Sequence, residues 1–381
     1  MIKNIRLIFT CLLLEVTLGF VLGCSGNSSC PAPNSKEIFI STKGKGDVPI
    51  EDIFSEHRYI PLETRDDALL PGLTDIIRLL LNNERIYISD GKSVMRFNFD
   101  GRLDCKYSHE GEGAHEYMGL ASFSVIDDGD VVFYGMLNRS IFNYTPDDHF
   151  VSRWQYKQWF IREIINLDDD LLLLQCMDNI KDSYRFHVVN RYTGEEVNAY
   201  WKLDNPDPCL MFMRDFYCRY DGKIIKSFYK SNNVYELSCD SAILRYTINI
   251  DNKIPPVDYW MRGGNDPVAH FERYRLQDDY IGHIPVFLES DRSILLRYDG
   301  GAKERQGYAF VDKATRESRA IVRFIFEDGF VHQPEYFFPL SDGWCAMLLY
   351  PEDIFKNTVF AQRFPGLDEE SNPVLFLGKL R

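Results

Sequence analysis

Short apolar segments separated by turn residues dominate the chain after about residue 50. The segments are four to eight residues long and rich in Ile, Val, Leu, Phe and Tyr, which favour β-strands. Asp-Gly occurs seven times, at 90–91, 100–101, 128–129, 221–222, 299–300, 328–329 and 342–343. Because a type I′ turn needs positive φ at both central residues, Asp-Gly between apolar segments predicts β-hairpins. The pattern predicts an all-β protein, with short helical turns around 71–81 and 351–355.

The strand–turn–strand pattern repeats six times. The units begin near Ile86, Val131, Leu171, Ile224, Ile294 and Cys345. Four of the five intervals between them, 45, 40, 53 and 51 residues by subtraction, suit a propeller blade of four short strands. The remaining interval of 70 residues holds an insertion at about 251–285. The repeat predicts a six-bladed β-propeller over residues 50–381; a pair of β-sandwiches would explain the strands but not their even spacing.

The segment HRYIPLET, residues 57–64, lies before the first repeat and is predicted to be an additional strand. We expect it to complete the last blade beside the C-terminal residues. Such a strand would close the ring and remove an exposed sheet edge.

The N-terminus has the order of a secretory signal peptide. Lys3 and Arg6 precede an apolar segment, 7–22, which Glu15 interrupts. A charge at the centre of a bilayer is costly, so the segment is too short and too polar for a permanent membrane helix. Residues 1–23 are therefore predicted to be a signal peptide.

Val21-Leu22-Gly23-Cys24 resembles the bacterial lipobox. By that resemblance, cleavage precedes Cys24 and its thiol carries a lipid; an ordinary signal peptide with a chance cysteine is the alternative. The following SGNSSCPAPNSK is polar and rich in small residues, which is typical of a flexible tether. Residues 24–49 are predicted to be this lipidated tether, with the membrane as a partner through the anchor.

Composition and charge exclude some partners. The chain is 45% hydrophobic and 14% aromatic, enough for a large core, and carries a formal charge of −14. Such a surface repels nucleic-acid phosphates, and no basic patch overrides it. None of the nine cysteines forms a CxxC or zinc-site spacing, so no metal site is predicted from them. Cys209 and Cys218 are the nearest candidates for a disulfide.

The stretch YSHEGEGAHEYMGL, residues 107–120, concentrates glycines with His and Glu. A phosphate-binding loop would need a Lys-Ser/Thr after its last glycine, and a dinucleotide site a following helix; the stretch has neither. A metal site has no recognised spacing here. We interpret the stretch as a turn between blades whose glycines take positive φ. The departure at Ala114-His115 leaves His115 and Glu116 as candidate binding residues.

IPLET, RIYISDGKSVMRFNFDGRL and EGEGAHEY together resemble the six-bladed β-propeller lipoproteins of Bacteroidetes, related to TolB-like and NHL-like propellers. In that family a Gly-x-Gly-Pro-Gly-Glu-Tyr-like loop follows the first blade. The resemblance covers about residues 50–375 and implies a fold and a cell-envelope location, not a reaction. Asp240-Ser241-Ala242 also resembles the O-glycosylation site of secreted Bacteroidetes proteins, so Ser241 is a candidate. Surface export in this phylum is associated with acidic residues after the lipidated cysteine; residues 25–29 have none, which favours the periplasm.

The insertion supplies the other binding candidates, Tyr259, Trp260 and Arg262. Aromatic rings beside a cation suit sugars, peptides or another protein, and long loops on rigid scaffolds commonly carry binding. The alternative is that these rings only pack the loop onto its blade.

The predicted function is a non-catalytic module that binds a protein, peptide or glycan near the central channel, and no catalytic residue is assigned. The alternative is a propeller hydrolase or lyase acting on a glycan or peptide, for which carboxylates or histidines from different blades should converge at the channel. No cofactor is predicted, although the channel of a propeller has room for one calcium ion. The aspartate clusters at 127–130, 168–170 and 278–279 are interpreted as turns, because none has EF-hand spacing.

Overall fold

The computed structural model describes residues 36–72, 78–156, 160–177, 183–203, 216–256, 258–260, 266–334 and 337–381. Strands β1–β27, numbered in chain order, form six sheets that follow one another along the chain. The all-β, six-bladed propeller predicted from the repeat is confirmed. Each sheet is one blade, and the innermost strands are β4, β8, β12, β16, β20 and β25. The strands of a blade are counted outward from this innermost strand.

The first three blades each contain four antiparallel strands. In blade 1 these are β4–β7: Arg78–Asn82, Arg85–Ser89, Val94–Asn98 and Leu103–Tyr107. In blade 2 they are β8–β11: Leu120–Val125, Val131–Gly135, Ser140–Tyr144 and Phe150–Gln155. In blade 3 they are β12–β15: Ile161–Asn166, Leu171–Cys176, Tyr184–Asn190 and Glu196–Lys202.

The last three blades also receive strands from the N-terminal part of the chain. Blade 4 contains β16–β19 and β1: Tyr217–Tyr220, Lys223–Ser227, Asn233–Leu237, Ala242–Ile250 and Lys36–Ile40. Blade 5 contains β20–β24 and β2: His283–Glu289, Ser293–Asp299, Gln306–Asp312, Ser318–Ile325, Val331–His332 and Gly46–Pro49. Blade 6 contains β25–β27 and β3: Phe338–Pro339, Trp344–Leu349, Val374–Leu380 and Phe54–Pro61.

The second strand of each blade is buried on both faces, because a neighbouring blade covers each side. Every residue of Val131–Gly135 is buried, as are all but the first of Leu171–Cys176. Such strands read as continuous apolar segments rather than as an alternation. For this reason each of the six repeat units found in the sequence begins in the second strand of a blade.

The N-terminal strand β3 closes the ring, as predicted for residues 57–64. It pairs antiparallel with β27, with Tyr59 opposite Phe376. The Asp-Gly turn of blade 1 then packs on the end of β3. Gly101 has φ +86, and a Cβ there would lie 2.0 Å from the carbonyl oxygen of Pro61, so only glycine permits this approach.

The structure corrects the second half of the tether predicted at 24–49. Strand β1 pairs parallel with β19 of blade 4, and β2 pairs parallel with β23 of blade 5. Together with β3, these strands form a belt over the outer edges of three consecutive blades. Residues 24–35 lie outside the described part of the chain.

Within the described residues, four helices of four or more residues occur between strands: α1 (Ile50–Ile53), α2 (Pro267–Leu276), α3 (Pro351–Ile354) and α4 (Thr358–Ala361). Helix α3 confirms the predicted turn at 351–355, whereas the turn predicted at 71–81 is wrong where it is described, since 78–82 is a strand. Helix α2 in the insertion was not predicted; the Asp266 side chain accepts from the Ala269 N–H and caps it. Over the described ranges, no helix is long and apolar enough to cross a membrane.

Candidate functional site

A buried cluster of charged side chains lies at the centre of the ring. Glu163 of β12 accepts a hydrogen bond from Arg78 Nη1 of β4 at 2.5 Å and another from Lys226 Nζ of β17 at 2.7 Å. The Arg78 guanidinium also lies over the Tyr217 ring, 4.0 Å from its centroid. All three charged side chains are less than 10% exposed. Buried charges need such partners, so the cluster ties blades 1, 3 and 4 together across the channel.

Blades 4 and 6 meet directly at one end of the channel, although blade 5 lies between them in the ring. The Arg219 N–H donates to the Leu340 carbonyl at 3.1 Å, and the Asp342 N–H donates to the Arg219 carbonyl at 2.7 Å. At this end, blade 5 therefore lies farther from the channel axis than blades 4 and 6. The described residues that line the channel here belong to the other five blades.

A cavity of about 250 Å³ opens at this end of the channel, which we call the hairpin mouth because the hairpins that join the first two strands of each blade lie there. It lies beside the charged cluster, with Arg78 among its lining. The described lining residues are Arg78, Leu80, Leu81, Asn82, Asn83, Val125, Asp127, Asn166, Tyr217, Cys218, Arg219, Pro339, Leu340 and Ser341.

Hydrogen bonds between blades fix the polar rim of this cavity. The amides of Asn82 and Asn83 donate from blade 1 to the Ile126 and Asp127 carbonyls of blade 2. Asn166 of blade 3 donates to the Asp127 carboxylate at 3.3 Å, and the Arg219 guanidinium of blade 4 donates to the Asn166 carbonyl. The rim groups are therefore preorganised by the ring itself.

Cys218 in the cavity lining and Glu163 in the charged cluster beside it are poorly suited to catalysis. Cys218 has a free thiol, so the predicted disulfide with Cys209, which lies outside the described residues, is not formed. Burial raises the pKa of the Cys218 thiol to about 12, and a protonated thiol is a weak nucleophile. The Glu163 carboxylate is occupied by two cations. Neither group is prepared for acid–base or nucleophilic chemistry.

The predicted site at His115 and Glu116 lies in the connection from blade 1 to blade 2, at the opposite face of the ring. Glu116 accepts from the Gly113 N–H at 2.8 Å, and a Cβ on Gly111 would lie 2.1 Å from the same carboxylate. The His115 ring stacks on Phe150 with centroids 3.8 Å apart. The expected positive φ is wrong for Gly111 and Gly113: these glycines make room for the Glu116 carboxylate.

The candidates in the insertion pack on helix α2. Tyr259 is 3% exposed, donates from its hydroxyl to Asp278, and contacts the ring of Trp260. Trp260 is partly exposed and packs edge-on against Tyr274. Arg262 lies outside the described residues, as does Cys24. The insertion precedes β20 and therefore lies at the face opposite the hairpin mouth, so the structure does not bring these candidates to the cavity; ligand binding by them stays a prediction.

The remaining candidates occupy turns. Ser241 is half-buried between β18 and β19 and donates to Asp240 at 2.8 Å; its glycosylation stays a prediction. Asp168 Oδ1 accepts from the N–H groups of Asp170 and Leu171, as expected of a turn residue. Within the described ranges, no group of three or more His, Cys, Asp or Glu side chains is placed to hold a metal ion.

The charged cluster was missed in the sequence, yet a signal exists. Arg78, Glu163 and Lys226 interrupt the apolar segments IIRLLL, REIINL and KIIKSF. A charge inside a strand that is buried on both faces must find a partner inside the protein. Three such strands point to one polar cluster, although the pattern does not say which charges meet.

The chain folds as a six-bladed β-propeller with a buried ion cluster at the centre of its ring and a cavity at the hairpin mouth. The chain belongs to the DUF4934 family, a domain of unknown function, whose model matches residues 36–379. No curated protein matches the chain.

Two solved structures are similar in fold. One is a Bacteroides fragilis protein that is inferred to be exported, with 16% identity and a TM-score of 0.71 over 90% of this chain and 99% of that one. The other is a member of the DUF4221 family from Bacteroides vulgatus, with 8% identity and a TM-score of 0.51 over 86% of this chain and 97% of that one. At these identities the likeness shows the fold alone.

Proposed function

We propose that the protein is an exported, lipid-anchored module that binds a small ligand, or one end of a larger one, in the cavity at the hairpin mouth. The observation that carries the proposal is the cavity itself, which five blades line with fixed polar groups. Ligand sites in proteins are concave and combine apolar walls with a few placed polar groups. Leu80, Leu81 and Leu340 supply the apolar wall here.

Binding without catalysis is favoured by the state of the groups at the centre. Glu163 accepts hydrogen bonds from two cations, and the Cys218 thiol is protonated at neutral pH. Among the described lining residues, Asp127 supplies a carboxylate, and it accepts a hydrogen bond from Asn166. A glycosidase mechanism would need two carboxyl groups facing one bond.

Ser341→Trp tests whether the cavity is the binding site. Ser341 is exposed at the rim, so a Trp side chain there is expected to fill the cavity without disturbing the core. Ligands found by thermal shift in a library of glycans, peptides and small acids should bind the variant at least tenfold more weakly, by calorimetry. Ser108→Trp is the control, because Ser108 is exposed in the connection at the opposite face. Equal affinity for wild type and Ser341→Trp would refute the site.

The anchor and the location belong to the same proposal. Support comes from the lipobox-like sequence at Cys24 and from the fold shared with the Bacteroides fragilis protein. Relationship to TolB-like and NHL-like propellers rests on the sequence motifs, and residues 25–29 favour the periplasmic side.

Cys24→Ala is expected to move the protein from the membrane fraction to the soluble fraction, because lipidation needs the thiol. The measurement is fractionation of cells followed by detergent extraction, with Cys239→Ala as the control, since Cys239 is an exposed thiol on blade 4. Retention of Cys24→Ala in the membrane fraction would show that the anchor is wrong. Digestion of intact cells by added protease would place the protein on the surface instead of in the periplasm.

A further inference from the structure

Arg219 is a cation at the cavity wall whose charge is not offset by a neighbouring acid. Across the described ranges, no carboxylate lies within ion-pair distance of it, and its side chain donates to the Asn166 carbonyl. The backbone of Arg219 is fixed on both sides by Leu340 and Asp342 of blade 6. The Arg219 guanidinium is therefore held in place at the cavity wall without an ion-pair partner among the described residues. Arg78 differs, because Glu163 offsets its charge.

Asn166 lies next to Arg219, and its amide forms part of the cavity wall. The residue is 4% exposed, and its Nδ2 donates to Asp127. Its Oδ1 has almost no accessible surface, so a ligand in the cavity meets the Arg219 guanidinium and not this amide oxygen.

The size and charge of the cavity limit what enters. A volume of about 250 Å³ is just below the usual range for a drug-sized ligand, so it suits one sugar ring or one amino-acid residue. The Asp127 carboxylate at the rim would repel a doubly charged phosphate more than a singly charged group. A planar carboxylate also matches the fork of a guanidinium.

We propose that the cavity binds a carboxylate. The Arg219 guanidinium pairs with this carboxylate. This inference rests on the proposed function and names the ligand chemistry for the same cavity. Two sources share that chemistry: the C-terminal residue of a peptide and an acidic sugar.

The experiment measures binding of two matched pairs of probes by calorimetry at low ionic strength. One pair is N-acetylglycine and N-acetylglycinamide, and the other is glucuronate and glucose. In at least one pair, the carboxylate should bind at millimolar concentrations and its neutral partner at least tenfold more weakly. The pair that binds shows whether the ligand is a peptide C-terminus or an acidic sugar. Arg219→Gln should weaken the carboxylate at least tenfold, because a hydrogen bond to a charged group is lost.

Arg292→Gln is the matched control, since Arg292 is exposed on the same face and outside the cavity lining. It removes the same charge and should leave binding unchanged. The inference is wrong if neither carboxylate binds, if the neutral probes bind as tightly, or if Arg219→Gln binds like wild type. If ligands of another chemistry bind wild type and Ser341→Trp weakens their binding, the cavity is still a binding site. The proposed function can therefore hold even when this inference is wrong.

Discussion

Glu289→Ala is expected to destabilise the propeller by about 2–4 kcal/mol, because it leaves two partly buried cations and a buried tyrosine hydroxyl without their acceptor. Glu289 ends strand β20 and is fully buried. It accepts from Arg245 at 2.9 and 3.0 Å, from Lys313 at 2.9 Å and from the Tyr246 hydroxyl at 2.8 Å. Arg245 and Tyr246 belong to blade 4, so the carboxylate joins two blades. Urea unfolding at neutral pH measures the loss.

Glu236→Ala is the control for this variant. Glu236 also pairs with Arg245, at 2.9 Å, but its side chain is 24% exposed. An ion pair in contact with water contributes about 0–1 kcal/mol, so this variant should change stability by less than about 1 kcal/mol. A similarly small change for Glu289→Ala would contradict the role assigned to the buried carboxylate.

The Glu289 carboxylate is also expected to make the free energy of unfolding depend on pH. Burial alone would raise the pKa of Glu289, but the hydrogen bonds from Arg245 and Lys313 hold it below its ordinary value of 4.5. A lowered pKa in the folded state stabilises the fold above pH 4.5, and that contribution is lost as the pH falls below this value. The stability difference between wild type and Glu289→Gln should therefore be largest at neutral pH and shrink below pH 4.5. A difference that is constant with pH would contradict this.

Removal of the closing strand is expected to have the largest effect of all. A chain that starts at residue 65 lacks β3 and leaves β27 as an open edge. Relative to a chain that starts at residue 50, it also loses five buried apolar side chains, Ile50, Ile53, Phe54, Ile60 and Leu62. Since burial of one such side chain contributes about 1.5–3 kcal/mol, the loss should exceed about 5 kcal/mol.

Two reference chains separate closure from the rest of the belt. One starts at residue 36 and keeps the whole belt; the other starts at residue 50 and lacks only β1 and β2. The unfolding midpoint in urea should fall most between the chains that start at 50 and 65. A synthetic peptide of residues 50–64 should restore part of the loss in the shortest chain. Equal midpoints for those two chains would show that β3 does not hold the ring closed.

The sequence predicted the ring because its signals are local. Asp-Gly turns and continuous apolar segments occur within one hairpin, and six of them at similar spacing indicate six blades. The segment 57–64 was assigned correctly for a related reason, since a strand without a neighbour in its own repeat must pair elsewhere.

The belt and the cavity depend on distant contacts that no local pattern records. Strand β1 has the sequence KEIFI and follows a polar stretch. Its partner β19 lies more than two hundred positions later in the chain. The bond between Thr42 and Asp251, just beyond these two strands, spans 209 positions. The cavity likewise depends on the direct bond between Arg219 and Leu340. The candidate binding residues chosen from the sequence belong to long connections between blades, whereas the described residues that line the cavity lie in the innermost strand of each blade or in the hairpin that follows it.

The closing strand also constrains the order in which the protein acquires its structure. Ser55 donates to the carbonyl of Lys379, which follows it by 324 residues. Contacts of such high sequence separation form slowly, because the entropy of closing the intervening chain is lost before they form. Strand β3, which leaves the ribosome before any blade is complete, thus waits for β27, and the ring cannot close until β27 has been synthesised. For the export proposed above, such a fold would keep the ring open until both of its ends have crossed the membrane.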